Sequence, residues 1–409
     1  MFLLSFCKKH ALIIIAALLI LLSTITGFIR LSNIAYYVGI ALFALFIFSN
    51  IMDTQIKSRG IILFMLICAI SILFNSPPSY FNSWNRFFVY SAILVVISPV
   101  INSIRANVYR NKLFIIILSI CSILSVGSFF AFFFGINYFV IDNKFVNIQA
   151  GTFAGLLNHS MALGPIAALC SLFLLVCTLK LYIFKYKVFC FIGMVCCLGA
   201  TLLSASRIAV VSVVLGILVI LFFYYRGNIT KYIKKGIVIF IVGVSTFSIW
   251  GGLTDFVVQK QTANEKQGSA LFSRGAKIEA RIKEFTSSPI YGIGFCVVDP
   301  RYDAVNKLTG QIEPGSSWLT IASMTGLLGL ITFLSIVVSS FKKVVRIKND
   351  FFAMLFAGCL TFFIFHMLAE GYIMAPGSYL NFIFWLLIGS IWGVYFIEHK
   401  GLEFKNIWK

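Results

Sequence analysis

Arg207 stands between two apolar runs in Leu203-Ser-Ala-Ser-Arg207-Ile. A guanidinium there can clamp an anion, because its planar fork makes fixed, bidentate contacts to phosphate. It can equally be an interfacial arginine that snorkels out of an apolar layer. Arg274, Lys277 and Arg281 are spaced i, i+3 and i+7, so a helix over Ser273–Thr286 puts them on one face. That face is either solvated or a phosphate-binding surface, and Glu279 and Lys283, four apart, mark part of the helix as ordinary surface. Ile278 and Phe285 lie on another face, suited to pressing against apolar neighbours. His366 and Glu370 are four apart and are expected to share a helix face, as an acid/base or sugar-binding pair or as a polar helix–helix contact. Asn158 and His159 precede another apolar run, where His159 can also serve as a helix N-cap. The sequence shows no glycine-rich nucleotide loop, zinc-ligand cluster or Ser-His-Asp pattern, so neither cofactor nor metal is expected; Gly292-Ile293-Gly294 is only a short turn signal.

These residues are carried by a chain that is 60% hydrophobic and 11% charged, too few charges for the surface of a soluble protein of 409 residues. Apolar runs of about 20 residues recur, each long enough to cross a hydrocarbon core of roughly 30 Å as a helix. They lack the alternating period of a barrel, and inside lipid only helices and closed barrels satisfy the backbone. The reading is all-α, a polytopic transmembrane helix bundle of about 12 spans with one long extracytoplasmic loop containing a short amphipathic helix. The spans fall near 11–29, 34–50, 60–75, 87–103, 113–134, 161–180, 187–205, 208–225, 236–253, 317–338, 351–369 and 379–397. The chain is organised as transmembrane helices over 1–253, the loop over 254–316, then the last helices and a cytoplasmic tail over 317–409, all one integral membrane domain. The break at Ser204–Arg207 is the weakest; merging there would remove one span and reverse the sidedness of every later segment.

The net charge of +20 does not point to nucleic acid, because the basic residues sit in short clusters between apolar runs. With a cytoplasmic N-terminus, Lys8, Lys9, Lys57, Arg59, Arg105, Arg110, Lys112, Lys180, Lys185, Lys187, Arg226, Lys231, Lys234 and Lys235 fall inside. So do Lys342, Lys343, Arg346, Lys348, Lys400, Lys405 and Lys409, leaving Arg30, Arg86, Lys144 and Arg207 on short outer loops. This bias predicts both termini in the cytoplasm. Asn158, His159, Arg207, His366 and Glu370 then gather at the outer edge. The central thirds of the spans hold almost no ionisable groups, unlike ion-coupled transporters. Most of the ten cysteines lie inside apolar runs, and Cys296 has no second cysteine in its loop, so a disulfide framework is not expected. The first apolar run reads as a retained helix rather than a cleaved signal peptide.

Four stretches resemble the O-antigen ligase and O-antigen polymerase family of bacterial membrane glycosyltransferases. They are Gly151-Thr-Phe-Ala-Gly-Leu-Leu-Asn158-His159-Ser160, Leu203-Ser-Ala-Ser-Arg207, Arg274 through Gly294, and Glu313-Pro-Gly-Ser316-Ser317-Trp318 followed by Thr325-Gly326-Leu-Leu-Gly329. The resemblance covers roughly residues 150–395 and lies in the order and spacing of these motifs. It implies glycan transfer from an undecaprenyl diphosphate carrier at the outer face of the inner membrane. By the same resemblance Arg207, Arg274 and Arg281 bind the donor diphosphate, and Asn158, His159, Ser316 and Ser317 are weaker glycan-binding candidates. Ligases of the family carry a histidine in the outer loop just before the span that begins here near Ser317, and this loop has none. That departure favours a polymerase, with Glu370, Glu313 or His366 acting on the acceptor hydroxyl. The alternatives are an O-antigen ligase using lipid A core as acceptor, and a lipid-linked oligosaccharide flippase or transporter. The expected partners are the lipid-linked oligosaccharide and membrane lipids, with a chain-length regulator as a further candidate and no nucleic acid.

Overall fold

The computed structural model describes residues 2–48, 55–56, 58–138, 140–141, 144–145, 153–245, 275–303, 305, 310 and 312–402. Among them the chain is helical: α1 (Phe2–Thr24), α2 (Asn33–Phe48), α3 (Arg59–Asn75), α4 (Ser83–Ile97), α5 (Ile104–Phe133), α6 (Ser160–Lys180) and α7 (Phe184–Leu203). After these come α8 (Arg207–Tyr224), α9 (Ile229–Ser245), α10 (Gly275–Ser287), α11 (Ser317–Arg346), α12 (Asp350–His366) and α13 (Tyr379–His399). The strands among these residues are two-residue pairs. Each stretch read from the sequence as a span has a helix over most of it. α5, α6, α7, α8, α11 and α13 are long and apolar enough to cross a membrane, while the apolar parts of α1, α2, α3 and α12 are shorter. The protein is an integral membrane protein built of helices.

The chain divides into two compact units. The first comprises Met1–Gly39, Ile115–Ala270 and Ile347–Phe365. Here α6 and α12 are mostly buried, and α6 is packed by α7 and α8. Close approach depends on missing side chains, as expected where lipid supplies no hydrophobic drive between helices. A Cβ on Gly216 would stand 2.8 Å from Leu172 and 3.1 Å from the Gly358 carbonyl, and one on Gly199 would stand 2.4 Å from Phe129. The weakest break in the sequence is real: α7 ends at Leu203, Ala205 takes a left-handed φ of 53°, and α8 starts at Arg207. A Cβ on Gly164 of α6 would come within 2.7 Å of Ser204 and Ser206, so this turn seats on a bare patch of helix. At the other end of these helices Asp350 receives Lys180 and Arg226, each at 2.9 Å.

The second unit comprises Ile40–Phe114, Leu271–Arg346 and His366–Lys409. α11 lies against α3, α10 and α13, and α4 against α3 and α13. The core is aromatic: Trp385 is fully buried, donates Nε1–H to the Tyr90 hydroxyl at 3.1 Å, and neighbours Phe64 and Phe333. Arg110, one of the basic residues used for sidedness, is fully buried and bonds the carbonyls of Val96 at 3.0 Å and Ile101 at 2.7 Å, capping the end of α4.

α11 is broken at Gly326, where φ is 65° and ψ is −165°. A break frees backbone groups that lipid cannot satisfy. The segment after α10 supplies them: Leu327 N–H bonds the Pro289 carbonyl at 2.8 Å, and Ile293 N–H bonds the Ser323 carbonyl at 2.9 Å. Gly292 and Gly326 permit this approach, since a Cβ on either would lie 2.3 Å from the opposing backbone. α3 fastens both strands of the junction, through Ser71 Oγ to the Met324 carbonyl at 2.6 Å and Asn75 Nδ2 to the Gly292 carbonyl at 2.8 Å.

Candidate active site

In the first unit, Arg207 is the half-buried first residue of α8. A helix N-terminus carries outward N–H groups and partial positive charge, so a guanidinium there suits an anion. Asn158 and His159 are engaged in structure. Asn158 Nδ2 bonds the Thr24 carbonyl at 3.0 Å, and His159 caps α6 by accepting from Met161 N–H at 3.0 Å. The N-cap reading of His159 is therefore the one the geometry supports.

The other candidates, apart from Arg274, which lies outside the described residues, belong to the second unit. α10 forms where the charge spacing placed a helix, but its faces are arranged differently from expectation. The buried stripe is Ala280, Arg281 and Glu284, not a stripe of Ile278 and Phe285. Arg281 and Glu284 are both 0% exposed. Arg281 Nη2 meets Glu284 Oε1 at 3.0 Å and Asp303 Oδ2 at 2.9 Å. Glu284 Oε1 also accepts Asp299 N–H at 2.7 Å. Burial raises the Glu284 carboxyl to about 7, against the lowering pull of Arg281 and the Asp299 N–H. Two carboxylates therefore meet Arg281 through Nη2 and fold residues 299–303 onto α10, while its Nε and Nη1 are buried with no hydrogen-bond partner among the described residues.

Lys277, one turn earlier, reaches the 313–316 loop, with Nζ 3.0 Å from Glu313 Oε2 and 3.0 Å from the Glu313 carbonyl. The same loop continues into the start of α11, where Ser316 and Ser317 hold the turn that comes after α12. Ser316 Oγ bonds the Met367 carbonyl at 3.2 Å. Ser317 Oγ donates to the Glu370 carbonyl at 2.6 Å and accepts Tyr372 N–H at 3.0 Å. Ser317 N–H serves the Met367 and Glu370 carbonyls at 3.0 Å each. These bonds end α12 at His366, so Glu370 does not share a helix face with His366. It sits half-buried in the turn, its N–H on the His366 carbonyl at 3.1 Å. His366 is 1% exposed and its Nδ1 lies 3.3 Å from the Tyr372 hydroxyl. It is buried beside Tyr372 in the turn. Burial, then nearby Glu370, pushes the Tyr372 phenol well above its ordinary value.

Residues 192–334 match the family model described as O-antigen ligase. No curated protein matches the chain. The O-antigen ligase segment thus runs from within α7 to within α11 and takes in Arg207, Arg281, Glu313, Ser316 and Ser317, while Asn158, His159, His366 and Glu370 lie outside it. The motif resemblance is matched by the family model over this segment, about a third of the chain. Two glycine positions in the matched motifs now have a physical cause, the Gly292–Gly326 junction. Tyr372 and Asp303 lie at no telling spacing from their partners, whereas Glu284, three residues after Arg281 on a helix, carried a spacing signal that could have found it. No three described His, Cys, Asp or Glu residues form a group able to hold a metal.

Proposed function

We propose that the protein polymerises undecaprenyl-diphosphate-linked oligosaccharide repeat units of O-antigen, capsule or exopolysaccharide at the outer face of the bacterial inner membrane. An acceptor sugar hydroxyl attacks the anomeric carbon of the growing chain on its carrier. The C1–O bond to phosphate breaks, Glu370 takes the hydroxyl proton, and undecaprenyl diphosphate leaves. Arg207 and Arg274 are the cations for the charge that develops on the leaving diphosphate. Glu313 is the lesser candidate base, because Lys277 already holds it.

One observation carries the reading. Ser316 and Ser317 bind the turn bearing Glu370 to the start of α11, where ligases of the family show a histidine. A carboxylate in that turn can accept a proton in the histidine's stead. The second reading, ligation to lipid A core, draws on the description of the matching family. Deleting the protein and resolving surface glycans on a gel separates them. Single-repeat caps are expected for a polymerase. Bare lipid A core with carrier-linked polymer retained would mean a ligase, and no outward-facing intermediate would mean a flippase.

A further inference from the structure

We propose that Lys277 is a phosphate ligand of the lipid-linked donor, and that Glu313 occupies it as a substitute anion before the donor arrives. The inference rests on the donor reading above and adds a residue and a regulation to it. Three observations lead here. Arg281, next along the same face of α10, is fully buried, its Nη2 paired with Glu284 and Asp303, so Lys277 is the more open cation of this face. Lys277 is one turn nearer the start of the helix, its side chain 26% exposed, and its ammonium meets Glu313, which is 69% exposed. An ion pair with so open an anion is weak, and a phosphate bearing more charge displaces it readily.

The displaced carboxylate belongs to a strap with two firm ends. Gly315 lies against the stem of Lys277, where a Cβ would stand 3.2 Å from the lysine Cβ. Pro314 lies against Gly371, where a Cβ would stand 2.5 Å from the proline ring. Ser317 then holds the Glu370 carbonyl. Exchange of Glu313 for phosphate on Lys277 therefore acts on the segment that presents Glu370, so donor arrival and the proposed base are mechanically linked.

The test uses the purified full-length protein in nanodiscs and measures affinity for undecaprenyl diphosphate and, separately, inorganic pyrophosphate. E313Q is expected to bind undecaprenyl diphosphate about two- to fivefold more tightly, the worth of an exposed ion pair removed from competition. K277M is expected to bind about tenfold or more weakly, the worth of a charge-assisted bond to phosphate. The double variant K277M/E313Q should match K277M, because the gain from E313Q requires the lysine. E313A serves as a second removal of the carboxylate. Unchanged or weaker binding by both E313Q and E313A, with the wild type binding, overturns the inference and leaves the donor reading standing. A shift for pyrophosphate alone assigns the exchange to free phosphate and overturns the link to the donor. Wild-type protein that binds neither probe overturns the donor reading together with the inference.

Discussion

Arg207 and Arg281 are both arginines in motifs of one family segment, yet their surroundings predict opposite failures when they are truncated. Arg207 is half-buried at a helix start, so Arg207→Ala should leave the protein in the membrane and abolish long-chain glycan. Arg207→Lys should rescue poorly, because a point charge does not replace a planar fork. Normal chain lengths in the alanine strain would remove Arg207 from the mechanism. Arg281→Ala strands two carboxylates, one of them wholly buried. Breaking such a pair costs about 3–5 kcal/mol, so the expected result is less protein in the membrane and early proteolysis between 275 and 303. At Glu370, a general base contributes roughly 10²–10⁴-fold, and Glu370→Gln should slow polymerisation of a defined lipid-linked repeat by at least the lower bound. Turnover at the parent rate would make the carboxylate structural.

At the scale of elements, α10 and the broken α11 form one assembly. Gly326→Val introduces a side chain at a φ of 65° and within 2.3 Å of the Ile290 backbone. The backbone strain alone is about 1–3 kcal/mol, before the clash. Thermal unfolding in detergent should show a large loss, whereas Gly377→Ala, at an open position, should be neutral. Glu284 adds a pH dependence. Its folded value of about 7 is above the ordinary carboxylate range, so the folded protein holds the proton more tightly than the unfolded chain. The stabilisation is complete at acidic pH and is lost as pH rises through about 7. Hydrogen exchange across 275–303 should be slower at pH 6 than at pH 8 after correction for intrinsic rates, and Glu284→Gln should flatten the difference. The existence of α10 was legible from charge spacing. Which face turns inward was not, because the burial of the Arg281–Glu284 pair depends on residues 299–303, whose approach leaves no periodic trace in α10. The His366–Glu370 pair was misread for a similar reason: four-residue spacing implies a shared face only while the helix lasts, and Ser317 ends it.

For the whole molecule, hydropathy located the helices because a chain crossing lipid must close its backbone bonds within each segment. It could not tell which helices associate, since lipid-facing and protein-facing surfaces are equally apolar. The grouping of 40–114 with 271–346 and 366–409 is therefore invisible in composition. Sidedness rests on the basic clusters, and they predict that 254–316 is extracytoplasmic and the C-terminus cytoplasmic. Single cysteines on a background without native cysteines, treated with an impermeant reagent in intact spheroplasts, should label the loop and spare the tail. A protected loop would undo both the topology and the proposed site. The bond from Ser71 to Met324 joins residues 253 positions apart. At about 5–20 residues per second, roughly 13–50 s of translation separate the hydroxyl from its carbonyl. α3 thus leaves the ribosome with Ser71 and Asn75 lacking those partners, and the insertion machinery must shelter these polar groups from lipid until the last third of the chain is made.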